Sequence, residues 1–142
     1  TATGDLSHVN IGNTSSTKKA LVLCPQSRRT TVEENLRDLP VELIALEDNE
    51  GVIPSESIVA TLRARDFRSI VCEGGPSLAA QILASGQVSE LCLSVSPRLS
   101  ASQIPALVGS DQHFDLSQLL VGDDSALYST WRPVPGITQR AE

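Results

Sequence analysis

At 142 residues with 40% apolar content, the chain suits a single domain around one buried core, and its 3% aromatic share makes that core aliphatic. A formal net charge of −6, with no Lys/Arg run longer than a pair, argues against a nucleic-acid or anionic-membrane partner. No apolar run reaches the length of a membrane span, the polar start Thr1-Ala2-Thr3-Gly4-Asp5 is unlike a signal peptide, and three cysteines without metal spacing, one of them necessarily unpaired, fit a reducing cytoplasm.

In chain order, residues 1–17 are rich in Thr, Ser, Gly and Asn and are expected to form a polar flexible leader, leaving residues 18–142 as the folded part. Ala20-Leu21-Val22-Leu23-Cys24 is a continuous apolar run of the kind found in strands buried on both faces. Thr31-Val32-Glu33-Glu34 fits a capping box, and Val32, Leu36 and Leu39 fall at helical spacing before Pro40 ends the segment. Val41-Glu42-Leu43-Ile44-Ala45-Leu46 is the next predicted strand, followed by an acidic surface loop over residues 47–54. Ser55-Glu56-Ser57 opens a second helix with Ile58, Val59 and Leu62 inward, and Phe67-Arg68-Ser69-Ile70-Val71-Cys72 leads into a central strand.

Further on, Leu91, Leu93 and Val95 alternate with Cys92, Ser94 and Ser96 in another strand, and a loop containing Pro105 and Gly109 follows. Leu127-Tyr128-Ser129-Thr130-Trp131 is the last strand, expected to lie antiparallel at a sheet edge. Trp131 and Tyr128 are expected to pack it against the sheet or a neighbouring subunit. The alternation of strands and helices predicts an α/β fold with parallel crossovers. All three cysteines sit in apolar strand patterns and are read as small buried hydrophobes. His8 and His113 stand alone in polar loops, away from any cluster with metal spacing.

The tightest local geometry lies at Ile70-Val71-Cys72-Glu73-Gly74-Gly75-Pro76-Ser77-Leu78. Two consecutive residues without a Cβ allow a sharp turn and close approach by another molecule. Pro76 suits the first helical position, Leu78/Ile82 and Ala79/Leu83 stand at i, i+4, and Gly86 stops the helix. The result is a strand, a glycine turn and a helix N-terminus whose unpaired N–H groups attract an anion such as a pyrophosphate. The same residues also suit a plain βα connection. They form neither a Walker loop nor the Gly-x-Gly-x-x-Gly dinucleotide fingerprint.

In its longer context, Val71-Cys72-Glu73-Gly74-Gly75-Pro76-Ser77-Leu78 followed by residues 81–97 resembles the signature of the riboflavin-biosynthesis reductase family, whose fold is similar to dihydrofolate reductase. Residues 69–99 carry the resemblance best, and Ala20-Leu21-Val22-Leu23-Cys24-Pro25-Gln26-Ser27 resembles the family strand that borders the adenosine part of the cofactor. Ser89 stands where the family usually has Asp, and Ser100-Ala101-Ser102 replaces its usual glycine pair. The family's opening Ala-Ser-x-Asp-Gly strand has no counterpart, so the chain is expected to begin partway through the fold and to lack reductase activity by itself.

The resemblance implies a mixed, mainly parallel sheet with flanking helices and an antiparallel C-terminal edge, and an NADPH-dependent hydride transfer to a phosphorylated pyrimidine. Glu73 then faces ribose hydroxyls or the carbonyl end of a substrate, and Gly74, Gly75, Pro76, Ser77 and Leu78 cradle the pyrophosphate. Cys24, Pro25, Gln26, Ser27 and Arg28 follow the first strand at the edge where open α/β sheets bind ligands. Arg28 or Arg29 can grip a 2′-phosphate, or simply stand solvated. A two-fold homodimer is expected, because an acidic soluble protein must cover its C-terminal sheet edge. The rival expectation is a noncatalytic relative that keeps only nucleotide binding or a dimer surface.

Overall fold

A computed structural model describes residues 19–98 and 112–134; the expected leader and the segment with Ser100-Ala101-Ser102, Pro105 and Gly109 lie outside the described residues. The elements are β1 (Ala20–Pro25), a 3₁₀ turn (Gln26–Arg28), α1 (Arg29–Asn35), β2 (Val41–Leu46), α2 (Ser55–Arg63), α3 (Pro76–Ala84), β3 (Leu91–Val95), β4 (Phe114–Val121) and β5 (Leu127–Pro133). β1 and β2 form a parallel pair, and an antiparallel sheet runs in the order β3-β5-β4, so the expected mixed α/β architecture is present. The chain divides into two compact units, Thr1–Ser69 and Ile70–Glu142.

In the first unit, β1 pairs with β2 in register from Ala20 opposite Val41 to Pro25 opposite Leu46. Val22 and Cys24 alternate onto one face, where Val32 on α1 and Leu36 at its C-cap, one turn further on, close the core with Val41, Leu43 and Ala45 packed around it. α1 begins before the predicted capping box: its N-cap is Arg28, no side chain caps it, and Thr31 already lies within the helix. The cause is upstream, where Ser27 gives both its N–H and its hydroxyl to Asp48, so the chain coils directly after Pro25. At the far end of α2, Arg65 reaches Glu42 of β2 at 2.7 Å and ties the helix to the sheet. That contact holds the Glu42 carboxyl below its usual range, chiefly through the hydrogen bond from Arg65.

In the second unit, α3 starts and stops where its sequence says it should: Pro76 is the first helical residue after Gly75, and Gly86 follows the last turn at φ 69°. The predicted central strand over Ile70-Val71-Cys72 is not formed among the described residues. A strand exists only as part of a hydrogen-bonded ladder, and here β3, β5 and β4 pair with one another, leaving Val71 78% exposed. β5, expected at an edge, is the central strand, because β4, which the pattern did not predict, pairs with its other side.

Cross-strand rows show how this sheet sorts its residues. Leu91, Trp131 and Leu116 share one row, Leu93, Ser129 and Leu119 the next in the same sense, and Val95, Leu127 and Val121 a third, which gives one apolar face. Ser129 is the polar exception, and it is satisfied: its hydroxyl donates to the Leu93 carbonyl at 3.2 Å and accepts the Trp131 indole N–H at 2.9 Å. The reading of all three cysteines as buried holds for Cys24 alone. Cys72 lies in the unladdered 70–75 segment, and Cys92 alternates onto the face of Thr130 and Gln118, so both thiols are exposed.

Candidate functional site

The expected site residues fall into two groups, one in each unit. Cys24, Pro25, Gln26, Ser27 and Arg28 run from the end of β1 through the 3₁₀ turn. Cys24 and Pro25 are fully buried, so any ligand there meets their backbone and the exposed side chains of Gln26, Ser27 and Arg28. Burial raises the Cys24 thiol above its ordinary pKa, which keeps it protonated and unsuited to nucleophilic attack.

Sequence reasoning missed the residue that organises this group. Asp48, two residues past β2, accepts the Ser27 N–H at 2.8 Å through Oδ1, and the Ser27 hydroxyl at 2.9 Å and the Gly51 N–H at 2.8 Å through Oδ2. These donors, the Ser27 N–H foremost, hold its carboxyl below the usual range. An acid just past the C-terminal end of the second strand of a parallel pair was visible in the sequence, but its pairing with a residue 21 positions earlier was not. Because folding lowers this pKa, the contribution of Asp48 to stability is present above its unfolded value of about 3.9 and is lost as pH falls through the folded value. Urea denaturation at stepped pH is expected to show wild-type stability falling below about pH 4 more steeply than that of Asp48→Asn.

The second group, Glu73 with Gly74, Gly75, Pro76, Ser77 and Leu78, surrounds the start of α3. Its two glycines differ. A Cβ at Gly74 would lie 2.6 Å from Leu78 Cδ2 and 3.2 Å from Leu78 Cβ, so packing explains that residue. Gly75 has φ −67° and ψ 174°, an extended conformation open to any residue, and a Cβ there would meet nothing within 4 Å. Neither backbone strain nor packing accounts for its missing side chain. The first turn of α3 contains no acid and no capping side chain, Pro76 has no N–H, and the first helical bond to Gly75 O comes from Ala79 at 3.0 Å. The N–H groups of Ser77 and Leu78 therefore have no partner within the helix. Glu73 is exposed and makes no hydrogen bond or ion pair among the described residues.

An uncapped helix start, an open glycine and a nearby hydroxyl form a surface suited to a phosphate group. Among the described residues no three His, Cys, Asp or Glu side chains gather as a metal site, and no helix is long and apolar enough to cross a membrane.

Comparison with known proteins agrees with this architecture. A pyrimidine reductase-like protein of Corynebacterium diphtheriae has a similar structure, with TM-score 0.69 and 24% identity over 82% of this chain and 50% of that one. A candidate riboflavin biosynthesis protein of Shewanella sp. PV-4 matches with TM-score 0.57 and 18% identity over 91% of this chain and 67% of its own. These likenesses show the fold, and the chain spans half the length of the Corynebacterium protein. No curated protein matches the sequence. Residues 7–119 match the RibD C-terminal domain, a span that includes the 3₁₀ turn after β1, the Asp48 loop and the whole glycine turn with α3. With most of its length covered, the chain belongs to the RibD C-terminal domain family.

Proposed function

We propose that this chain carries the dinucleotide-binding part of a riboflavin-pathway reductase that uses NADPH to reduce a phosphoribosylamino-pyrimidine in the cytoplasm. Gly75 carries the reading: its side chain is absent where neither conformation nor packing requires it, and the space left open borders the uncapped start of α3. NADPH, when bound, supplies the hydride that reduces the ribosyl C1′ and opens the sugar to a ribityl chain.

The residues of the chain bind and orient. Backbone N–H groups of Ser77 and Leu78 hold the pyrophosphate, with the Ser77 hydroxyl as a further donor. Glu73, exposed just before the turn, accepts hydrogen bonds from sugar hydroxyls of cofactor or substrate. In the first unit, taken by itself, Arg28 is an exposed cation of the kind that suits a 2′-phosphate. Purified protein is expected to bind NADPH saturably, followed by calorimetric titration. Failure to bind NADPH or NADH at all overturns the reading.

The same reading includes a two-fold homodimer. Leu119, Val121 and Val95 lie on the apolar sheet face and are each more than half exposed, a surface that a second copy would cover. Light scattering at micromolar concentration is expected to give twice the chain mass, and a monomeric mass removes the dimer from the proposal.

A further inference from the structure

At the C-terminal ends of β1 and β2 one carboxylate joins two loops. Asp48 takes both donors of Ser27 on one side and the Gly51 N–H on the other. Its own loop is stiff: Asn49 and Val52 exchange two backbone hydrogen bonds of 2.9 Å each, with Glu50 and Gly51 in the left-handed region at φ 53° and 85°. The carboxylate is tied to the Gln26–Arg28 turn by both Ser27 bonds, while the Gly51 N–H holds it from its own loop. Arg28 is the adjacent cation, and its charge contributes to the lowered pKa of Asp48. Arg29 instead approaches Glu33 at 3.9 Å, one turn along α1. Glu47 and Glu50, both exposed, add negative charge to the same loop.

Resting on the reductase reading above, we propose that Asp48 is a specificity residue for the nucleotide, fixed beside the Gln26–Arg28 turn so that its charge opposes Arg28 and keeps the preference for NADPH over NADH narrow. A 2′-phosphate at this turn is drawn to Arg28 and repelled by Asp48. A 2′-hydroxyl is neutral and can donate to the acceptor site that Asp48 retains, since a carboxylate has about four lone-pair positions and three are used here. Removing the negative charge leaves Arg28 unopposed.

The test is calorimetric affinity for NADPH and for NADH in wild type, Asp48→Asn and Asp48→Ser. The NADPH:NADH affinity ratio is expected to rise by about three- to tenfold in both neutral variants. Arg28→Gln added to Asp48→Asn is expected to cancel that gain. Structural loosening alone weakens both cofactors and leaves the ratio in place, so an unchanged ratio in folded variants overturns the assignment. Failure of both neutral variants to fold also overturns it, because the carboxylate would then be serving the fold. A wild type that binds neither dinucleotide defeats the reductase reading and this proposal together, whereas one that binds them with a ratio insensitive to residue 48 defeats this proposal alone.

Discussion

Gly75→Val is expected to weaken NADPH binding by roughly ten- to a hundredfold while leaving the protein folded. The backbone at this position, φ −67° and ψ 174°, accepts a β-branched residue without strain, and the added side chain enters open space. The stability cost is confined to the N-cap preference, about 1 kcal/mol at most. Binding is different, because the branched side chain occupies the approach to the free N–H groups of Ser77 and Leu78, and charge-assisted hydrogen bonds to phosphate contribute about 1.5–3 kcal/mol each. Gly74→Val makes the contrast, since its Cβ would collide with Leu78 and the loss there should appear first in thermal stability. Calorimetry on folded Gly75→Val decides the matter: an NADPH affinity equal to wild type would show that the open space faces no ligand.

What could be read from the sequence was what is local. The ends of α3 were legible because Pro76 and Gly86 act on their own backbone, and β2 because six residues in a row have strand character between Pro40 and an acidic loop. β4 was hidden by a bulge: Leu116 faces Trp131 and Gln118 faces Thr130, so two steps on β4 match one on β5, and Leu116 and Leu119 reach the same face against the period of two. The start of α1 was misplaced for a related reason. Asp48 recruits Ser27 across 21 residues of chain, and no local pattern around Thr31 records that competing bond. The apolar run at 70–72 has strand composition, yet strand formation depends on a neighbour that composition does not supply. The candidate site divides in the same way: residues 73–78 are contiguous and were found together, whereas the partnership of Asp48 with Ser27 needed the parallel register of β1 and β2 to bring their ends side by side.

Leu36→Ala is expected to destabilise the first unit by about 2–5 kcal/mol, read as a lower urea midpoint. Leu36 is buried in the small cluster with Val22, Cys24 and Val32, and its side chain lies one turn beyond Val32 on the face of α1 that meets the sheet. With so few buried side chains, neighbours have little material with which to collapse into the space left by three carbons, so the cavity cost adds to the lost transfer energy. Leu39→Ala provides the internal comparison, because that residue is 38% exposed and its truncation should cost much less. The loss should reach the proposed nucleotide-binding turn through α1. That helix begins at Arg29, directly after the Gln26–Arg28 turn, so its docking on β1 helps hold Ser27 within reach of Asp48. Weaker NADPH binding in Leu36→Ala, at urea concentrations where wild type is still folded, is the expected functional consequence. Equal urea midpoints for Leu36→Ala and Leu39→Ala would show that α1 is not anchored by this core.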